Sequence, residues 1–299
     1  MRKSLEKLIS NCIGLTYKLP KGDPAIPKIK VSTCSDECYQ ILSSDRELAK
    51  IIYNGIVDYS FNEADIDLTK LDTFQKRALK SKLYFNPKDK ENVQLKYGFY
   101  GEVLLFLMLQ FYHKAGTFIS RGFFYSPLEK SETKGFDTYQ MLKGPDDSVE
   151  LWFGEVKFHK DFRTGITQIL DKIKTSLSDE YLNSNFVAME DKEPFVSTEA
   201  TISPVLNAFR ENPEVNLARV ARENGMSFVY PMLVIFNNEN KSYDDIIKSV
   251  VKYTNERYEK LEVNFSLDYS IFFMFLPVNT AMEIKKFVRS WILSNQPVI

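Results

Sequence analysis

The spacing of apolar positions changes character near residue 96. Before it, DECYQILSSDRELAKIIYNGIVDY and TKLDTFQKRALKSKL carry apolar residues at helical spacing, with Asp36 as the expected N-cap of the first. Pro20, Pro24 and Pro27 forbid a helix in LPKGDPAIPKIKV. FNPKDKEN, residues 85–92, reads as a loop and a boundary, so residues 1–92 are expected to form a mainly helical N-terminal region.

After it, KYGFYGEVLLFLMLQFYHKAG is apolar on nearly every side and predicts a buried helix ending at Gly116. TFISRGFFYSP, KGFDTYQMLKGPDD and VELWFGEVKFH read as three strands. RTGITQILDKIKTSL places Ile166, Ile169, Leu170, Ile173 and Leu177 at helical spacing. Residues 183–226 stay ambiguous, a loop with Pro194 and Pro204 and then a polar helix in NLARVARENGM. SFVYPMLVIF predicts a strand that Pro231 pushes towards a sheet edge. YDDIIKSVVKYTNERYEKL, DYSIFFMFLPV and AMEIKKFVRSWILS follow as helix, strand and helix. This alternation predicts an α/β domain over residues 93–299, a mixed central sheet covered by helices.

Composition narrows the class. A length of 299 residues suits one large domain or two small ones, and 44% hydrophobic with 26% charged residues excludes disordered and fibrous classes. No apolar run approaches the ~18 residues of a membrane span. MRKSLEKLISNCIGL holds Glu6 and lacks a small-residue cleavage site, so no secretory signal is expected. Cys12, Cys34 and Cys38 are an odd set that fits reduced thiols in a cytoplasm. Cys34 and Cys38 have metal-like spacing, but no further Cys or His nearby completes a tetrahedral set. With two histidines in the chain, histidine-based catalysis is a poor fit.

A net charge of −1 excludes a globally basic nucleic-acid binder. Positive potential must then be local or come from a partner. One local run exists: Lys76, Arg77, Lys80, Lys82, Lys88 and Lys90 stand against a single Asp89. Such runs are by default solvated faces; this one is also the candidate DNA contact.

The chemistry concentrates in VELWFGEVKFH. Glu-x-Lys occurs five times, at Glu132, Glu155, Glu190, Glu239 and Glu283, so the tripeptide alone says little. Glu155 differs because its strand is apolar on the other face, at Trp152, Gly154, Val156 and Phe158. Glu155 and Lys157 then project together with Phe153 and His159, where a charge needs a partner or a metal. Asp137 lies in the preceding strand, where a meander would set it beside Glu155. Glu102 is a third misplaced carboxylate, in the first turns of the apolar helix with Leu105, Phe106 and Leu109 following on its stripe. Three carboxylates and one lysine suit phosphodiester hydrolysis with Mg²⁺ or Mn²⁺. Asp137 and Glu155 would be the direct ligands, with the Val156 carbonyl beside them. Glu102 would hold a water or a second ion, and Lys157 would be the catalytic cation. His159 reads as a strand-end histidine.

The succession YGFYGE, GFD, GEVK on an apolar strand, then a helix holding Gln168, resembles the PD-(D/E)XK nuclease superfamily. Glu102, Asp137, Glu155 and Lys157 match its order of helix Glu, strand Asp and strand Glu-x-Lys. Within that superfamily the chain is most similar to HamA, the nuclease subunit of the Hachiman antiphage defence system. The resemblance implies a restriction-endonuclease-like core and a cytoplasmic bacterial DNA nuclease working with a HamB-like helicase subunit. It also implies an accessory role for Gln168, and Lys160 and Arg163 are further candidates for phosphate contact. The motifs cover residues 98–170; beyond them only the layout agrees. One departure is that Phe136, not a proline, precedes Asp137. A catalytically inactive nuclease-like scaffold that regulates a helicase is the alternative, and the intact acid set argues against it.

Overall fold

The computed structural model describes residues 1–120, 124–126, 131–132, 135–144, 148–190, 207–208, 211–212 and 214–299. In chain order the elements are α1 (Lys3–Cys12), β1 (Ile13–Leu19), β2 (Asp36–Ile41), α2 (Asp45–Ser60), α3 (Leu71–Ser81), the single turn α4 (Glu91–Gln94) and α5 (Phe99–His113). Then come β3 (Gly116–Thr117), β4 (Tyr125–Ser126), β5 (Ser131–Glu132), β6 (Thr138–Lys143), β7 (Val149–Phe158), α6 (Phe162–Ser176) and α7 (Asp179–Glu190). The chain closes with α8 (Leu217–Glu223), β8 (Met226–Asn237), α9 (Tyr243–Tyr258), β9 (Tyr269–Val278) and α10 (Ala281–Ser294).

Seven strands form one mixed sheet in the order β1-β2-β9-β8-β7-β6-β3. Its centre, β2-β9-β8-β7, is parallel, and both flanks are antiparallel. Parallel strands need helices on both faces, which is why β8 and β9 are apolar nearly throughout instead of alternating. One face packs on α1, α2, α5 and α10; the other packs on α6, α7, α8 and α9. The alternation along β7 divides its side chains between these layers. Trp152, Val156 and Phe158 belong to the α5 side, and Leu151 and Phe153 to the α6 side. The fold is thus a mixed α/β arrangement, a seven-stranded sheet flanked by helices. Among the described residues no helix is long and apolar enough to cross a membrane.

Several elements match their patterns closely. The apolar stripe Ile166, Ile169, Leu170, Ile173 and Leu177 is buried, and α6 starts where the Asp161 side chain accepts the Arg163 N–H. Ser242 caps α9 in the same way, and α10 spans AMEIKKFVRSWILS.

Other expectations are corrected. The first ninety residues hold the helices α1, α2 and α3 but are not a separate helical layer: β1 and β2 join the central sheet, and the β2–β9 pairing crosses the boundary drawn after residue 92. Asp36 caps no helix. Its buried carboxylate accepts from the Val31 and Phe273 N–H groups and the Ser32 hydroxyl, tying the proline-rich loop to β9. The helix starts only at Asp45, where Ser44 accepts the Glu47 N–H. α5 ends at Lys114 in the left-handed conformation, two residues before Gly116. Of the strand expected in TFISRGFFYSP, the described residues hold only β3 and β4; residues 121–123 and 127 lie outside them, as do Pro194 and Pro204. α7 was not foreseen, because its buried apolar anchors Leu182 and Phe186 are too few to set a period.

β8 is central, although Pro231 predicted an edge. The sheet accommodates the missing N–H by a local lapse in pairing. The β7–β8 register runs to Trp152–Val229 and resumes at Glu155–Met232. Pro231 falls in that gap, its ring 3.1 Å from where a Cβ on Gly154 would stand. Gly154 makes room for the ring, and Glu155 follows immediately.

Candidate active site

β6 and β7 are antiparallel with Thr138 opposite Gly154, so Asp137 arrives beside Glu155 and Val156. Two hydrogen bonds hold it there. The Asp137 N–H donates to the Gly154 carbonyl at 2.9 Å, and the Val156 N–H donates to Asp137 Oδ2 at 2.9 Å. Glu155 projects to the α6 side and is 4% exposed. One of its oxygens accepts from the Lys157 ammonium. The other, Oε2, is buried with no hydrogen-bond partner among the described residues. The stem of Lys157 lies against α6 at Gly165, where an added Cβ would stand 3.4 Å from the Lys157 Cβ.

α5 brings the third carboxylate. Gly101 lets this helix approach β7: a Cβ there would meet Val156 Cγ2 at 3.1 Å. Glu102 is thereby carried to the same corner. Tyr59, fully buried on α2, donates to Glu102 Oε2 at 2.6 Å and lies 3.2 Å from the Asp137 carbonyl. One hydroxyl therefore ties α2, α5 and the start of β6 together.

Glu102, Asp137 and Lys157 line a cleft of about 750 Å³ together with His159, Lys160 and Lys285, while Glu155 and Tyr59 lie behind its walls. It lies beyond the carboxyl ends of β7, β8 and β9, where open parallel sheets place their ligands.

Electrostatics follow from the burial. Desolvation and the neighbouring Asp137 charge push Glu155 up to about 7, against the pull of Lys157. Its carboxyl is therefore poised near neutrality. Burial alone would lower Lys157, but Glu155, Asp137 and Glu102 outweigh it and raise the ammonium above its ordinary value. Burial lowers His159, opposed by its hydrogen bond to Gln168 and helped by Lys285 and Lys157.

The structure thus gathers Glu102, Asp137, Glu155 and Lys157 in one corner. Lys160 lines the same cleft. Gln168 does not reach the carboxylates; it is exposed on α6, 2.9 Å from His159 Nε2. Arg163 is engaged by Asp161 at 3.2 Å and Glu239 at 3.4 Å. Lys76, Arg77, Lys80 and Lys82 lie on α3 and just after it, away from the cleft walls, with Arg77 over the rings of Phe61 and Phe74.

Sequence reasoning missed Tyr59 and Lys285. A tyrosine on an apolar helix face needs a partner for its hydroxyl, which was the available signal for Tyr59. Lys285 closes the fifth Glu-x-Lys, which had no apolar strand to single it out.

Among the described residues no three His, Cys, Asp or Glu side chains are grouped to hold a metal ion. Magnesium needs no such cage, since it takes one or two carboxylates and keeps its waters. Asp137 with the unpartnered Glu155 Oε2 fits that requirement. The three cysteines are free.

No curated protein and no solved structure matches the chain. The HamA family model matches residues 28–292, a span that includes the whole carboxylate corner and nearly all of the sheet. On that coverage the chain belongs to the HamA family.

Proposed function

We propose that this chain is a metal-dependent nuclease that hydrolyses DNA phosphodiester bonds, built on a restriction-endonuclease-like core. We infer further that it is the cytoplasmic effector of a Hachiman antiphage defence system and acts with that system's helicase. One observation carries the chemical part. A glutamate buried to 4% exposure has one oxygen without a partner among the described residues, beside a second carboxylate and a lysine that both line an open cleft. A purely structural ion pair would satisfy both oxygens.

In this reading Asp137 and Glu155 would hold Mg²⁺ or Mn²⁺, which would supply polarisation of a phosphoryl oxygen and a more acidic water. Asp137 is oriented for that task by the Val156 N–H, and the β7 main chain fixes its place. Lys157 keeps its proton and sets a positive charge where negative charge grows on the phosphate oxygens. Tyr59 holds Glu102 at the cleft wall, where its carboxylate orders water. The net charge of −1 supports a subunit that draws part of its DNA affinity from its partner.

The test is cleavage of supercoiled, linear and single-stranded DNA by the purified chain, with and without the helicase. Each reaction is run with Mg²⁺, Mn²⁺ or EDTA, beside Asp137→Asn and Lys157→Ala. Metal-dependent cutting that both substitutions abolish is expected. Absence of cutting under every condition, the helicase included, would leave the inactive scaffold as the better reading.

A further inference from the structure

Lys285 enters the cleft from α10, one turn inside the helix. Its ammonium donates to the Phe158 carbonyl at 3.0 Å, at the strand end between Lys157 and His159. The ammonium also stands over two ring faces, 4.7 Å from the centroid of Phe158 and 5.9 Å from that of Tyr100. Among the described residues no carboxylate pairs with it. Other cations of α10 are matched: Lys286 to Glu283 at 2.7 Å, and Arg289 to Glu91 at 4.0 Å. Burial lowers Lys285 to about 8 with no acid to restore it. Thr280, Ala281 and Met282 line the cleft beside the lysine, but the start of α10 already has its acceptors: Asp45 takes the Asn279 and Thr280 N–H groups and Asn237 takes the Ala281 N–H.

A half-sunk ammonium with one neutral acceptor lacks an anion. The space it faces is open, and the strand that supplies its acceptor also carries Glu155 and Lys157. We infer that Lys285 receives a backbone phosphate of the nucleic-acid strand in the cleft, neighbouring the phosphodiester under attack. The inference rests on the nuclease reading and deepens it. The bond is charge-assisted and the site carries no base-reading group from α10, so Lys285 sets position and affinity, not sequence.

The test is fluorescence anisotropy of a fluorescein-labelled single-stranded oligothymidylate in EDTA, where no cutting confuses binding. Lys285→Met keeps the apolar stem and removes the charge; Lys285→Arg keeps the charge. Lys285→Met should weaken binding roughly tenfold and flatten the logarithmic salt dependence by about 0.7, the share of one phosphate on a single strand. Lys285→Arg should stay within about threefold of the parent chain. On the unaltered chain, acetylation of Lys285 read by mass spectrometry should fall when the oligonucleotide is added, a readout independent of how the variants fold. Unchanged affinity in Lys285→Met together with unchanged acetylation would overturn the inference. A parent chain that does not bind the oligonucleotide would overturn it too. The nuclease reading is judged apart from this, by manganese-dependent cleavage and its loss in Glu155→Gln.

Discussion

Two glutamates lie buried in the same sheet, Glu37 in β2 towards its β1 end and Glu155 in β7 towards its β3 end. They are 3% and 4% exposed. Glu37 is surrounded by donors: Tyr39 on its own strand, His113 from the end of α5 at 2.9 Å, and Lys18 from β1 at 3.4 Å. Burial would raise it, but His113, Tyr39 and Lys18 outweigh burial and hold it below the ordinary carboxylate value. Among the described residues Glu155 has one donor, a second carboxylate beside it and one oxygen with no partner, and it rises to about 7. Equal burial with opposite shifts shows that partners, not depth, decide what a buried acid does. The satisfied one fastens β1, β2 and α5 together. The unsatisfied one keeps capacity for a cation.

Exchanging each acid for its amide separates the two ends most sharply. Glu155→Gln should lower metal-dependent DNA cleavage by at least about a thousandfold, because the amide gives up the anionic ligand. Glu37→Gln should leave initial cleavage rates within about threefold while costing on the order of 3 kcal/mol in urea unfolding, as expected when one member of a buried ion pair is removed. If Glu37→Gln abolished cleavage in a chain that stayed folded, the division between a structural and a functional end would fail.

The pH dependence of stability is the next largest contrast, and its sign differs between the ends. The folded state holds a proton on Glu155 up to about 7, whereas the unfolded chain releases it near the ordinary 4.5. That contribution is fully present below 4.5 and lost as pH rises through 7, by about 3 kcal/mol for a shift of this size. Glu37, lowered in the fold, contributes above the ordinary value and loses its contribution as pH falls through its folded value. Urea midpoints from pH 4 to 8 should show the decline towards pH 7 vanish in Glu155→Gln and persist in Glu37→Gln. A decline unchanged in Glu155→Gln would assign it to another group.

The smallest effects come from the two tyrosines that serve these acids. Tyr39→Phe and Tyr59→Phe each remove a buried hydroxyl that donates to a carboxylate and should each cost about 1 kcal/mol of stability. They should part in activity. Tyr59→Phe removes the hydroxyl that holds Glu102 Oε2 and should slow cleavage by roughly tenfold, whereas Tyr39→Phe should not change it. Equal rates in both variants would remove Tyr59 from the positioning of the site.

Much of this architecture can be read from local pattern. Side-chain alternation along VELWFGEVKF is enough to separate Glu155 and Lys157 from Trp152, Val156 and Phe158, since a strand has a period of two whatever surrounds it. Helical periodicity does the same for α6, α9 and α10, and the order of the acids points to Glu102, Asp137, Glu155 and Lys157 before any contact is known. Pattern fails where the deciding interaction is distant. DECYQIL has the composition of a helix start and becomes a strand because β9, more than two hundred residues on, supplies its neighbour and the buried Asp36 binds there. Pro231 sits inside a central strand because Gly154 of another strand leaves space for its ring. Tyr59 reaches Glu102 across 43 residues, and Lys285 reaches the Phe158 carbonyl across 127. Residue types and their order carry the chemistry along the chain. Which oxygen stays without a partner, and which lysine without an acid, depends on desolvation and pairing between remote segments, and those exist only once the layers have packed.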